Sequence, residues 1–196
     1  MTFPSPSRKP LSRLTFHIAA AAVLLAAGCE AAPRSALREG DVVSAMVLPA
    51  LERGTIDLSQ WRGRTVLLNI WATWCGPCRE EMPALERLSQ ALAPDRYAIV
   101  GISIDADRNL AREFARKLGV TFPLAIDASG TITRAVLGVS ALPDTLVIGP
   151  DGRLAARVRG YVDWSPAALQ AIMDPSGDLN PRRVVTTGAN APRALE

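Results

Sequence analysis

Two cysteines separated by two residues are the part of this sequence best suited to chemistry. Cys75 and Cys78 lie in W-A-T-W-C-G-P-C, residues 71 to 78, between an apolar run typical of a buried strand and a run with helical spacing. A sulfur at the first turn of a helix faces unpaired backbone N–H groups, which favour the thiolate. Because the thiolate is the nucleophile of disulfide exchange, we expect Cys75 to attack a partner disulfide and Cys78 to resolve the product.

A metal site and a permanent structural disulfide are the alternative uses of such a pair. The chain has 3 cysteines and 1 histidine, and both Cys29 and His17 belong to an N-terminal leader. A zinc or iron–sulfur site needs four ligands, so the remaining pair predicts no metal. A disulfide that closes so short a loop removes little entropy from the unfolded chain. We therefore predict a redox pair that needs no cofactor other than its own disulfide and dithiol.

The leader predicts export. Residues 1–28 contain three basic residues and then an apolar run of about 12 residues, a pattern typical of a signal peptide. A membrane span needs roughly 20. The segment L-L-A-A-G-C, residues 24 to 29, resembles a bacterial lipobox, which implies lipidation of Cys29. Ordinary signal cleavage and an uncleaved anchor are the alternatives. All three predict an extracytoplasmic protein in an oxidising space, at the periplasmic face of a membrane.

The charge balance argues against a nucleic-acid partner. The chain carries 22 Lys and Arg residues and 19 Asp and Glu residues, a net charge of +3. Arg8, Lys9 and Arg13 of the leader account for this excess, so the rest of the chain is neutral overall. A neutral domain has no electrostatic footprint for a phosphate backbone.

Hydrophobic periodicity predicts one α/β domain over residues 41–174, after a tether at 29–40 and before a loose tail at 175–196. The expected order of elements gives a mixed central sheet between helical layers. Its predicted strands span 44–50 and 55–60 (a hairpin), 65–72, 97–104, 122–127, 144–148 and 153–161. Its predicted helices span 76–92 with a kink at Pro83, the segment from Asp107 to Gly119, 132–137, and 165–173.

The motif W-A-T-W-C-G-P-C, with V-L-L-N-I before it and Met82-Pro83 after it, resembles the thioredoxin superfamily. The leader, the hairpin and the pattern W-x-G-x-T-V-L-L-N-I-W are most similar to the TlpA/ResA/DsbE group of membrane-tethered thiol-disulfide oxidoreductases. The resemblance implies a thioredoxin-like three-layer sandwich with a mixed central sheet and an N-terminal β-hairpin extension.

The same resemblance implies further site residues. The segment G-V-S-A-L-P-D-T, residues 138 to 145, resembles the cis-proline loop of the family. It implies a cis Pro143 that faces the cysteines and a Leu142 that meets the substrate backbone. Gly76 and Pro77 form the dipeptide of reducing thioredoxins, which implies a reductant.

Proton handling at the second cysteine requires a separate expectation. Asn69 occupies the place where cytoplasmic thioredoxins carry a buried aspartate. Glu81 matches an acidic residue of the TlpA/ResA group and is the expected substitute, with Glu80 as its rival. Burial would raise the pKa of such a carboxyl and let it exchange a proton with Cys78. The alternative is that both glutamates only add favourable charge to the first helical turn.

The remaining tryptophans and arginines receive simpler expectations. Trp71 is expected in the core, and Trp74 is expected to shield the nucleophile and contact partners. Trp61 and Trp164 are expected to pack. A group of arginines on the last strand is expected to form a solvated face: Arg153, Arg157 and Arg159.

These features together predict a protein-disulfide reductase. By resemblance, its clients are oxidised exported proteins such as apocytochromes c, and its electrons come from a membrane thiol carrier of the CcdA or DsbD kind. A disulfide-forming oxidase on the same fold and a non-catalytic partner-binding lipoprotein are the alternatives. A peroxidase is disfavoured, because no P-x-x-x-T-x-x-C pattern surrounds Cys75.

Overall fold

The computed structural model describes residues 37–43 and 46–172 of the chain. The predicted signal peptide, Cys29, most of the tether and the tail lie outside these described residues. Within them, no helix combines the length and the apolar character that crossing a membrane would require.

A five-stranded mixed sheet organises the domain, with strand order β5-β4-β3-β6-β7. Strands β3, β4 and β5 are parallel, whereas β6 and β7 run antiparallel to their neighbours. A separate antiparallel hairpin, β1-β2, precedes them. The strands are β1 Val47–Pro49, β2 Thr55–Asp57, β3 Thr65–Trp71, β4 Tyr97–Ser103, β5 Leu124–Ile126, β6 Asp144–Ile148 and β7 Leu154–Arg159. The predicted mixed α/β class with an N-terminal hairpin is confirmed.

Within residues 37–43 and 46–172, three α-helices and two short helical segments accompany the strands. They are α1 Gly76–Ala91, α2 Arg108–Lys117, α3 Pro166–Ile172, a 3₁₀ turn at Leu58–Trp61 and a π-helical segment at Thr131–Val136. Buried residues of all three α-helices belong to one core cluster. The other cluster contains residues of the hairpin and the 3₁₀ turn, with Leu137 and the partly buried Ile132 from the region of the π-helical segment. The two faces of the sheet are therefore covered differently, by α-helices on one and by short elements on the other.

Strand β3 is the centre of the sheet, and all seven of its residues are buried. Successive side chains of a strand point to opposite faces. Leu67 and Trp71 accordingly join the cluster of the α-helices, and Leu68 and Ile70 join the other cluster. By the same alternation, Asn69 points toward the layer of α-helices, where it is fully buried.

In two places the secondary structure differs in type from the prediction. The expected strand at 55–60 stops at Asp57, because the Asp57 carboxylate accepts the N–H of Ser59 at 2.9 Å and begins the 3₁₀ turn. The helix expected at 132–137 is a π-helical segment that starts at Thr131. The carboxylate of Asp127 accepts both the N–H and the hydroxyl of Thr133, at 2.8 and 2.9 Å, which anchors this segment to the end of β5.

The expected solvated arginine face is wrong for Arg157. Its side chain is only 6% exposed and forms an ion pair with Asp144, whose side chain is fully buried. Arg157 pairs with Leu146 of β6 and so lies on the sheet face of the cluster that contains the β1-β2 hairpin, where Asp144 of β6 supplies the countercharge that makes this burial tolerable. Arg153, by contrast, is exposed and pairs with the exposed Asp151.

Candidate active site

The cysteine pair lies where the central strand ends and helix α1 begins. Cys75 is the N-cap residue of α1, and its Sγ accepts the backbone N–H of Cys78 at 3.2 Å. Pro77 lies in the first turn, where its missing N–H costs no helical hydrogen bond. The two sulfurs form a disulfide, with the Cα atoms 5.3 Å apart. On reduction, the same N–H group and the positive end of the helix dipole favour a thiolate on Cys75.

The two sulfurs differ in their access to solvent. Cys75 is 6% exposed and lines a surface cleft, whereas Cys78 is 1% exposed and faces the core from one turn further along the helix. An incoming disulfide therefore meets Cys75 first.

The cleft beside Cys75 has a volume of about 380 Å³. One wall is the loop at 138–143, in which the Leu142–Pro143 peptide bond is cis. Trp74, 68% exposed, forms part of the rim and also lines a second cleft of about 250 Å³ next to α2. The other residues that line the first cleft are Ile104, Thr133, Arg134, Val139, Ser140, Ala141 and Leu142.

Glu81 is buried among hydrogen-bond donors. Its Oε1 accepts the amide Nδ2 of Asn69 at 2.7 Å, and its Oε2 accepts the N–H of Val162 and the indole Nε1 of Trp164, each at 3.4 Å. Burial raises the pKa of Glu81 from 4.5 to about 7, although these three hydrogen bonds favour the carboxylate and oppose the rise. Glu80, the rival residue, is exposed. Glu81 can therefore gain or lose a proton near neutral pH.

Several residues that support the site were missed by the sequence analysis. Trp164 was expected only to pack, but its indole also donates to Glu81. Thr145 accepts the second Nδ2 hydrogen bond of Asn69 at 3.0 Å. No periodicity in the sequence marks these contacts. The Asn69–Thr145 bond joins residues that are 76 positions apart, and the Trp164–Glu81 bond joins residues that are 83 positions apart. Only the departure of Asn69 from the thioredoxin pattern indicated that new partners were needed.

The backbone before the cysteines is fixed by a buried aspartate. Asp105, 2% exposed, accepts the N–H of Thr73 at 3.0 Å and its hydroxyl at 2.7 Å. The hydroxyl of Ser103 donates to the same carboxylate at 2.8 Å. Because Thr73 is followed directly by Trp74 and Cys75, these bonds hold the turn between β3 and α1.

Metal ligation has no support in the part of the chain that the structure describes. Residues 37–43 and 46–172 contain no group of three or more His, Cys, Asp or Glu side chains that could hold a metal ion.

Comparisons with known proteins agree with this geometry. Residues 40–157 match the sequence model of the AhpC/TSA family. The thiol-disulfide oxidoreductase ResA of Geobacillus thermodenitrificans (strain NG80-2) is 32% identical over 127 residues, which cover 65% of this chain and 72% of that protein. ResA of Bacillus subtilis (strain 168) is 30% identical over 134 residues, 68% of this chain and 74% of that protein.

A solved structure matches the fold as well. The crystal structure assigned as the thiol:disulfide interchange protein DsbE from Chlorobium tepidum superposes with a TM-score of 0.61 and 29% sequence identity. The match covers 67% of this chain and 90% of that one. Because this solved structure is similar to the chain in both sequence and fold, it points to the same class of protein as the two ResA sequences, the thiol-disulfide oxidoreductases.

Proposed function

The chain belongs to the AhpC/TSA family and is a thiol-disulfide oxidoreductase of the ResA/DsbE type, and on this basis we propose that it reduces disulfides of exported proteins through Cys75 and Cys78. One observation carries the proposal: the outer sulfur of the pair caps a helix and lines a cleft, while the inner sulfur is sealed. The Gly76–Pro77 dipeptide supports the reducing direction by its resemblance to reducing thioredoxins.

The reaction follows from this difference in access. The thiolate of Cys75 attacks one sulfur of a client disulfide, the client S–S bond breaks, and the released client sulfur takes up a proton. The thiolate of Cys78 then attacks the Cys75 sulfur, breaks the mixed disulfide and releases the second client thiol. Two electrons and two protons pass to the client, and the Cys75–Cys78 disulfide remains, which is the state present in the structure.

We propose that Glu81 accepts the proton of the Cys78 thiol and later returns it. Residues three positions apart on a helix are surface neighbours, so Glu81 lies one turn beyond Cys78 on the buried face of α1. The resolving step needs a Cys78 thiolate in a site closed to water. A carboxyl whose pKa is about 7 can accept that proton and later return it.

Replacement of Glu81 by glutamine should change the titration of the reduced protein. Above pH 7 the Glu81 carboxylate is negative, and a negative neighbour disfavours the Cys78 thiolate. In Glu81→Gln we therefore expect the buried thiolate to appear at a pH lower by about one unit. The measurement is the ultraviolet absorbance of the thiolates between acid and alkaline pH. Glu80→Gln, which removes an exposed neighbouring charge, should match the wild type; identical curves for all three proteins would refute the role of Glu81.

Clients should accumulate on Cys75 when the resolving cysteine is absent. In Cys78→Ala the first step can proceed but the second cannot, so mixed disulfides with exported proteins should be captured and then released by dithiothreitol. The client proteins are identified by mass spectrometry. The double variant Cys75→Ser/Cys78→Ala is the control and should capture nothing. Equal capture by both variants would show non-covalent binding and contradict an exchange reaction.

We also propose a location outside the cytoplasm, with a lipid on Cys29 as the tether. The signal-like leader and the lipobox-like segment before Cys29 support this, and both lie outside the described residues. Mass spectrometry of the membrane-extracted protein should find residue 29 at the N-terminus with acyl chains attached. An N-terminus elsewhere without acyl chains would reject the anchor.

Electrons for a reductant in an oxidising space must be renewed. We propose a membrane thiol carrier of the CcdA or DsbD kind as the donor, and apocytochromes c with oxidised cysteines as one class of client. Resemblance to the ResA/DsbE group supports both. A Cys75–Cys78 pair that stays reduced in cells lacking every such carrier would reject this donor.

A further inference from the structure

A buried ion pair joins the two ends of the loop that lines the Cys75 cleft. The loop occupies residues 138–143, so Leu137 precedes it and Asp144 follows it. The Nε of Arg157 donates to both carboxylate oxygens of Asp144 at 3.0 Å, and its Nη2 donates to Oδ2. Its Nη1 donates to the carbonyl oxygen of Leu137 at 2.9 Å. One guanidinium therefore contacts both ends of the loop.

Because the Asp144–Arg157 pair is buried, it requires one well-defined geometry. The side chain of Asp144 is fully buried and that of Arg157 is 6% exposed. Charges withdrawn from water need good geometry to offset lost hydration, and a planar guanidinium fork supplies it to a carboxylate. All three nitrogens of Arg157 are engaged, so its plane is fixed. The separation between Leu137 and Asp144 is fixed with it.

Strand pairing places Arg157 at the right distance. On the antiparallel pair β6-β7, Leu146 faces Arg157 and Asp144 faces Arg159, so Asp144 and Arg157 are diagonal neighbours. Long side chains bridge such diagonal positions on one face of a sheet. The N–H of Gly160 also donates to the carbonyl of Pro143 at 2.9 Å. Strand β7 thus holds the end of the loop through its backbone as well.

We propose that Arg157 is a positioning residue for polypeptide substrates. By joining Leu137 to Asp144 it holds the loop at 138–143 as a rigid wall opposite Trp74, at the distance from Cys75 that a client chain needs. The inference rests on the proposed function, because the loop acts on a client only if the client enters this cleft.

A small disulfide substrate distinguishes the positioning of a client chain from general stabilisation of the fold. A small aromatic disulfide needs only access to the Sγ of Cys75. A disulfide within a polypeptide must also place its backbone between Trp74 and the loop before its sulfur reaches Cys75. Loosening the loop should therefore slow the second reaction and leave the first unchanged, whereas a general loss of stability would slow both.

Two variants release the loop while keeping the buried charges balanced. Arg157→Lys retains a cation for Asp144, but one ammonium group cannot reproduce the bonds to the carboxylate and to Leu137 together. Asp144→Asn with Arg157→Met removes both charges, which avoids an unpaired buried ion. Arg153→Met is the matched control, since it removes an exposed pair with Asp151 and a hydrogen bond to a backbone carbonyl far along the chain, that of Gly40.

The test measures second-order rate constants of the reduced proteins with 5,5′-dithiobis(2-nitrobenzoic acid) and with insulin. We expect both loop variants to react with the small disulfide at the wild-type rate and with insulin about tenfold more slowly, because misplacement of a positioning wall costs rate without touching the nucleophile. Arg153→Met should match the wild type with both substrates.

Three results would overturn the inference. The folded variants could reduce insulin at the wild-type rate, both reactions could slow in parallel, or neither variant could show a folded near-ultraviolet circular dichroism spectrum. The last two results would make the pair a stability element only. Failure of the proposed function is distinct, because the wild-type protein itself would then reduce no insulin.

Discussion

The chemistry of this protein depends on where one sulfur lies relative to one helix. The Sγ of Cys75 caps α1 and accepts the N–H of Cys78, so the backbone at the start of the helix stabilises a negative charge on that sulfur. The position is set by packing. Helix α1 is fixed by a buried face that includes Met82, Leu85 and Leu88, which lie in the same core cluster as Leu67 and Trp71 of β3. The reactive end of the helix can therefore remain at the surface without becoming mobile.

Two pairs of buried polar side chains lie on opposite faces of the sheet. Toward the α-helices, Asn69 and Glu81 form a hydrogen-bonded pair behind the cysteines, and burial holds the pKa of Glu81 near 7. Toward the hairpin, Asp144 and Arg157 form an ion pair behind the cis-proline loop. Buried polar groups are costly unless they are fully partnered. Both pairs belong to elements that carry the site, because Glu81 lies on α1 with Cys78 and Asp144 directly follows the loop at 138–143.

Local sequence signals were enough to predict most of the fold and the cysteine pair. Strand β3 is recognisable from its apolar run, and Asp107 caps α2 because a short acceptor side chain reaches an N–H two residues away. Long-range partners could not be predicted in this way. Alternation on β7 places Arg157 on the same face as Arg159, but it does not indicate that Asp144 lies there as a partner. Nothing near Trp164 in the sequence indicates its contact with Glu81. Those contacts are fixed only when strands pair and layers pack.

The central claim is that the sulfur of Cys75 is ionised and reachable while that of Cys78 is sealed. The most direct test is alkylation of the fully reduced, folded protein by iodoacetamide at neutral pH, with the modified residues mapped by mass spectrometry over time. The structure predicts that residue 75 is modified faster than free cysteine and that residue 78 is protected until the protein unfolds. Equal modification of both residues, at the rate of free cysteine, would contradict the account.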